Sequence, residues 1–254
     1  MLSAALRHSH CSAKASYAGV VVEVDAAQPR SRPSHLRLIV WAVFVGLIAV
    51  FNYAARFSGG GGGSKGVSHQ EIYSYSTFVG GTIVYAIWLG IVLLIAIDRF
   101  DLLALRPPAR WGRAVGLSAV VVVSILVWET VVSYLPLPES PGKEQGITNV
   151  HWEPAHAGAF AANFVLFAVF APFVEELTFR GEGQSLLRFL GRVPSIFLVG
   201  VAFGLAHGLI EALLVLVALG IGLAWLRDRT NSVLPGMLVH ALFNATALAY
   251  IVVR

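Results

Sequence analysis

Ala159-Phe160-Ala161-Ala162-Asn163-Phe164-Val165-Leu166-Phe167-Ala168-Val169-Phe170-Ala171-Pro172-Phe173-Val174-Glu175-Glu176-Leu177-Thr178-Phe179-Arg180 joins an uncharged apolar run to two adjacent carboxylates and an arginine. Including the carboxylates, the run is long enough to enter a bilayer as a helix, since about 20 residues cross roughly 30 Å of hydrocarbon. A carboxylate at mid-membrane costs about 2.5–3.5 kcal/mol. Two together therefore mark a functional site, provided that partners for them exist elsewhere in the chain.

The composition agrees with a membrane setting. Of 254 residues, 57% are hydrophobic and 13% charged, against about 25% charged in a soluble domain, and mean hydropathy is +0.74. The expected fold class is an all-α, polytopic integral membrane helical bundle. Apolar runs recur too evenly for a soluble core, so residues 36–254 read as a single membrane domain behind a polar, disordered tail over 1–35. The apolar cluster Val20-Val21-Val22 is too short for a signal peptide. An organelle transit peptide is the alternative for the tail, and Glu23 and Asp25 count against it. Net charge is +4, but the basic residues stand singly between apolar runs, so they suggest topology determinants and no nucleic-acid partner. Cys11 is the sole cysteine. It excludes an internal disulfide and a paired-cysteine zinc site.

Seven spans are predicted, with six to eight compatible: Leu36–Tyr53, Phe78–Ile97, Val115–Leu135, Ala159 to about Thr178, Val193 to about Leu209, Ala212–Leu226 and Val233–Val253. Five glycines, Gly59 to Gly63, mark a flexible loop. Only Gly208 and Glu211 separate the fifth and sixth spans, which could also form a tight hairpin or a re-entrant segment. Basic residues favour the cytoplasmic side. One side collects Arg7, Lys14, Arg30, Arg32, Arg37, Arg99, Arg106, Arg110, Arg113, Arg180, Arg188, Arg192, Arg227 and Arg229, and the other Arg56, Lys65, Lys143 and Arg254. This places the N-terminus in the cytoplasm and the two glutamates at the cytoplasmic end of the fourth helix. The first three helices carry little polar chemistry; Glu129, beside Trp128, reads as interfacial. His151 and His156 read as solvated, and no internal repeat is evident.

Two further polar pairs interrupt apolar helices, each at a spacing of four and so on one helix face. They are Phe203 with His207, and His240 with Asn244. Lipid offers these groups no hydrogen bonds, so each pair should face the bundle interior. Taken singly, His207 could be a core histidine satisfied by a carbonyl, Asn244 could be packing glue, and Glu176 with Arg180 could be a structural i,i+4 ion pair. Pro235 reads as a first-turn proline, with Asn231 or Ser232 as cap. Taken together, they suggest one polar centre.

Desolvated carboxylates suit general acid/base work near neutral pH. If Glu175 and His207 reach one water, it can attack a carbonyl, and His240 and Asn244 can donate to the resulting oxyanion. Arg180 would neutralise Glu176, leaving Glu175 to face the water. No serine or cysteine accompanies the histidines, so no acyl-enzyme is indicated. Glu175, His207 and His240 could instead ligate Zn2+, although H-E-x-x-H is absent, and both a metal-activated and a glutamate-activated water remain open. One feature conflicts: from Val193, His207 lies about 21 Å into its helix at 1.5 Å per residue, whereas Glu175 is expected near the surface.

The three motifs Glu175-Glu176-x-x-x-Arg180, Phe203-x-x-x-His207 and His240-x-x-x-Asn244 resemble the signature of the CPBP (Abi) family of intramembrane proteases, which includes the type II CAAX prenyl endopeptidases. The resemblance covers roughly 159–250, the expected catalytic core. It implies cleavage of a membrane-associated peptide or protein, with Glu175 and His207 activating water, His240 and Asn244 forming the oxyanion site, and Glu176, Arg180 and Phe203 in support. Both metalloprotease and glutamate-protease descriptions attach to the family. The compact chain suggests a multi-pass protein of a bacterial cell membrane, with membrane lipids around it. A non-catalytic scaffold or bacteriocin self-immunity protein of the same fold is the alternative. A transporter using the polar centre as a proton relay is a third reading, disfavoured by the lack of repeated halves.

Overall fold

The computed structural model describes residues 35–58, 69–135 and 151–253. The expected tail up to residue 34, the glycine run, Lys65, Lys143 and Arg254 lie outside the described residues. Seven main helices run in order: α1 His35–Ser58, α2 Tyr75–Ile95, α3 Trp111–Ser133, α4 Pro154–Leu190, α5 Arg192–Ala206, α6 Leu213–Thr230 and α7 Leu234–Val253. No strand occurs among the described residues. The first four helices are each long and apolar enough to cross a membrane. Their outer faces expose large apolar side chains, including Leu47, Phe51, Ile87, Leu94 and Val123, which is the inverse of a soluble protein's surface and suits contact with lipid. The protein is an all-α, polytopic integral membrane bundle.

Side-chain contacts sort the helix ends into two sets. At one end Arg106 donates to Asn231 O and Oδ1 at 2.8 and 2.6 Å, Arg188 and Arg192 both pair with Asp228, and Ser185 Oγ donates to Leu102 O at 2.8 Å. At the other, Asn52 Nδ2 donates to Ala206 O at 2.7 Å and Trp128 Nε1 to Leu214 O at 3.0 Å. Successive helices therefore alternate in direction, as the seven-span reading requires.

The fourth helix differs from expectation. It does not end near Thr178 but continues through Arg180, Glu182 and Gln184 to Leu190. Pro172 lacks the N–H that would close on the Ala168 carbonyl, and the helix widens into a π segment at Leu166–Phe170 and again at Leu177–Gly183. Side chains of other helices occupy carbonyls of both segments. Asn244 Nδ2 donates to Phe167 O at 2.9 Å, and Trp41 Nε1 to Thr178 O at 2.9 Å. Arg180 is fully buried and so belongs to the interior, not to a basic loop.

This continuation removes the mismatch in depth. Gly191, at φ +104°, turns α4 into α5, with Glu175 sixteen residues before it and His207 sixteen after it. At 1.5 Å per residue both lie about 24 Å from the turn. Helices α5 and α6 pack closely through small residues, because a Cβ on Gly220 would lie 2.7 Å from Gly200 O. Such contacts suit membrane helices, where close backbone approach replaces the hydrophobic drive. Ser232 Oγ accepts from Leu234 N at 3.2 Å, so the expected serine cap opens α7 ahead of Pro235.

Candidate active site

Glu175 and Glu176 lie on the short α-helical stretch between the two π segments of α4. Being adjacent, they point about 100° apart around the axis. Glu176 faces inward and has no exposed surface. Its Oε1 accepts from Arg180 NH1 at 2.7 Å, one turn on, and lies 3.1 Å from His240 Nδ1. Gly236 leaves room for its Oε2, from which a Cβ there would be 2.9 Å away. Arg180 also donates to Gly220 O at 3.2 Å, and its guanidinium sits 4.2 Å from the centroid of Phe203. Cation and ring attract through the aromatic quadrupole.

Phe203 is the ring around which the other groups are ordered. His207 and His240 meet it edge-on at centroid distances of 4.6 and 5.4 Å, and Phe179 at 5.3 Å. The spacing of Phe203 and His207 thus sets the two rings edge to face on one side of the helix.

Glu175 is placed differently. Its Oε1 accepts from the Tyr85 hydroxyl of α2 at 2.9 Å. Its Oε2 faces two imidazoles, with His207 Nε2 at 3.9 Å and His240 Nε2 at 3.8 Å. His207 Nδ1 is 2.7 Å from Phe203 O. A carbonyl only accepts, so this nitrogen carries the proton, and in the neutral ring Nε2 is an acceptor. The distances from Oε2 are too long for direct hydrogen bonds and leave space for a small polar molecule bridging the three groups. His240 is almost fully buried, while the His207 side chain is 24% exposed, so access to this space comes past His207.

Residues 157–246 match the Rce1-like family of type II CAAX prenyl endopeptidases. The matched segment contains all three motifs, in agreement with the family resemblance read from the sequence, and runs from α4 into α7. No curated protein and no solved structure gives a match.

Three participants lie outside the Rce1-like segment. Besides Tyr85, Trp88 Nε1 donates to Thr178 Oγ1 at 2.8 Å, and Trp41 Nε1 reaches Thr178 O. Tyr85 and Trp88 stack with centroids 5.5 Å apart. The first helices therefore contribute more polar chemistry than expected. A signal was present: Tyr85 lies in the middle of α2, where the interfacial preference of tyrosine gives it no reason to be.

Asn244, one turn beyond His240, spends one amide N–H on Phe167 O. Glu175, His207 and His240 are also the residues that would hold a metal. Among the described residues, no three His, Cys, Asp or Glu side chains are grouped to hold an ion. His156, expected as solvated, is 56% exposed at its side chain and lies 2.9 Å from Glu153 Oε2.

Proposed function

We propose that the protein is an intramembrane endopeptidase that hydrolyses a peptide bond of a membrane-associated protein or peptide through a water held between Glu175, His207 and His240. The observation that supports this reading is the pair of Nε2 atoms at 3.9 and 3.8 Å from Glu175 Oε2. At the level of the family, the Rce1-like match points to a membrane protease.

Glu175 is the base. Tyr85 holds one carboxylate oxygen and directs the other at the water. As the water oxygen bonds to the substrate carbonyl carbon, its proton passes to Glu175 Oε2, and His207 Nε2 accepts the remaining O–H. Negative charge moves to the carbonyl oxygen, where donors are needed. His240 supplies one from its ring, which Glu176 Oε1 orients from 3.1 Å at Nδ1. Arg180 offsets the charge of Glu176. Asn244 keeps a second amide N–H beyond the one given to Phe167 and is the other donor. Collapse of the intermediate breaks the C–N bond, the proton on Glu175 goes to the departing nitrogen, and a carboxylic acid and an amine remain, the acid's O–H still facing His207 Nε2.

In this reading the membrane is that of a bacterial cell and the N-terminus is cytoplasmic. Arg99, Arg106, Arg110, Arg113, Arg188, Arg192, Arg227 and Arg229 gather at the end that this assigns to the cytoplasm. The test is cleavage of membrane-tethered fluorogenic peptides by purified protein. Glu175→Gln and His207→Ala are expected to lower turnover roughly 100-fold or more, with thermal unfolding unchanged. Cleavage retained in Glu175→Gln, or unfolding of both variants, would refute the catalytic reading in favour of a scaffold.

A further inference from the structure

Away from the polar centre, an apolar groove runs between α3 and α7 on the outer face of the bundle. Its first part, about 430 Å³, begins at Trp111 and Pro235 and passes Ala119 and Leu238. A second part of about 210 Å³ continues from it past Val122 and Val239 toward Leu126 and Thr246. Trp111 to Leu126 spans about 22 Å of helix, more than the roughly 15 Å of hydrocarbon in one leaflet. Small residues on α3, Ala114, Ser118 and Ala119, open the gap. Glu175, His207 and His240 do not line it, so it is separate from the candidate active site.

The groove ends in a cavity of a different character. At the basic end of the bundle a space of about 120 Å³ is lined by Arg110, Arg113 and Arg229, together with Thr230. Ala114 lines both this cavity and the groove, so the two adjoin at that residue. Other arginines at that end are engaged: Arg99 with Asp101, Arg188 and Arg192 with Asp228, and Arg106 with Asn231. Arg110, Arg113 and Arg229 make no ion pair with a described residue, and Arg229 only lies over the Trp225 ring at 5.5 Å. Three guanidiniums without a carboxylate at a membrane surface call for an anion, and a guanidinium fork suits a phosphate.

We infer that this track is a binding site for an anionic phospholipid, whose phosphate sits among Arg110, Arg113 and Arg229 and whose acyl chain lies in the groove between α3 and α7. Basic pockets between membrane helices take acidic headgroups in this way, each arginine contributing on the order of 1 kcal/mol. Trp111 stands where the headgroup gives way to the chain, the depth that indole rings prefer. Neither a second copy nor a peptide explains both halves, because the mouth requires negative charge and the groove wants a long apolar chain.

Lipid retention by the purified full-length protein, read by native mass spectrometry, tests the site with phosphatidylglycerol against phosphatidylcholine of the same chains. Phosphatidylglycerol should be retained preferentially. Replacing Arg110, Arg113 and Arg229 by glutamine should weaken it roughly fivefold per residue. Ala119→Trp, which fills the groove and leaves the arginines intact, should weaken it as well. Equal retention of the two lipids by the wild-type chain would overturn the proposal. So would retention unchanged by Ala119→Trp, which would indicate diffuse attraction with no seated chain. Competition by glycerol phosphate at the lipid's own concentration would do the same, by identifying a phosphate site alone.

Discussion

The hydroxyl of Tyr85 donates to Glu175 Oε1 at 2.9 Å, joining α2 to the carboxylate that faces both imidazoles. One oxygen is thereby fixed and the other, Oε2, left toward His207 and His240. Tyr85 is thus a positioning residue. A hydrogen bond to a charged group contributes about 1.5–3 kcal/mol to stability, so Tyr85→Phe is expected to lower thermal stability modestly and, by freeing the carboxylate, to lower kcat roughly 10-fold to 100-fold while KM holds. The phenyl ring keeps the stack on Trp88, which isolates the hydroxyl. A change confined to KM would show that Tyr85 acts on substrate binding instead.

How much of this centre was legible follows from the kind of contact involved. Glu176 and Arg180 are one helical turn apart, so their pairing could be read from spacing, and the observed 2.7 Å bond agrees. The meeting of Glu175 with His207 and His240 could be anticipated because lipid forces polar groups inward. The length of α4 could not. A run containing Arg180, Glu182 and Gln184 reads as loop, because local spacing offers a partner to Arg180 alone. Their helical burial depends on distant partners such as Gly220 O for Arg180 and Ala224 O for Gln184. The role of Tyr85 is hidden for a related reason, since its partner is ninety positions away.

The ion pair of Glu176 and Arg180 is buried on both sides, and this sets the sign of a mutational cycle. Removing one member of a buried pair leaves the other charge uncompensated and costs about 3–5 kcal/mol. Arg180→Met should therefore destabilise strongly, losing also the contact over Phe203. Adding Glu176→Gln should recover part of that loss, because the stranded carboxylate is gone. Thermal or denaturant unfolding in detergent measures both. A double variant as unstable as the sum of the singles would mean that the two charges are not coupled.

The proposed chemistry needs no divalent ion, which gives a second test independent of mutagenesis. Exhaustive dialysis of active protein against a chelator, with metal content followed by elemental analysis, should leave cleavage unchanged. A metal-bound water would behave otherwise, since ligand binding of the ion couples to activity and to pH. Loss of activity on chelation, with recovery on adding zinc, would replace Glu175 as base by Glu175 as ligand.

His207 ends α5, and the residue after it, Gly208, turns the chain at φ +66°. Two constraints meet at that glycine. The left-handed backbone costs about 1 kcal/mol or more for a residue with a Cβ, and a Cβ there would lie 2.7 Å from Asn52 Cβ and 2.9 Å from Asn52 C. Asn52 cannot retreat freely, because its amide already holds Ala206 O at 2.7 Å. Gly208→Ala must therefore push the turn away from α1, moving the adjacent His207 relative to Glu175. Only a 3.9 Å separation has to be kept, so a small displacement is enough to disturb the site. The expected outcome is a loss of cleavage larger than the loss of stability would explain, with the folded fraction at assay temperature still high. Asn52→Ala keeps the Cβ and backbone that clash but removes the anchor to Ala206 O, so α1 can give way. Combined with Gly208→Ala it should restore part of the activity, whereas no recovery would show that backbone strain alone carries the effect.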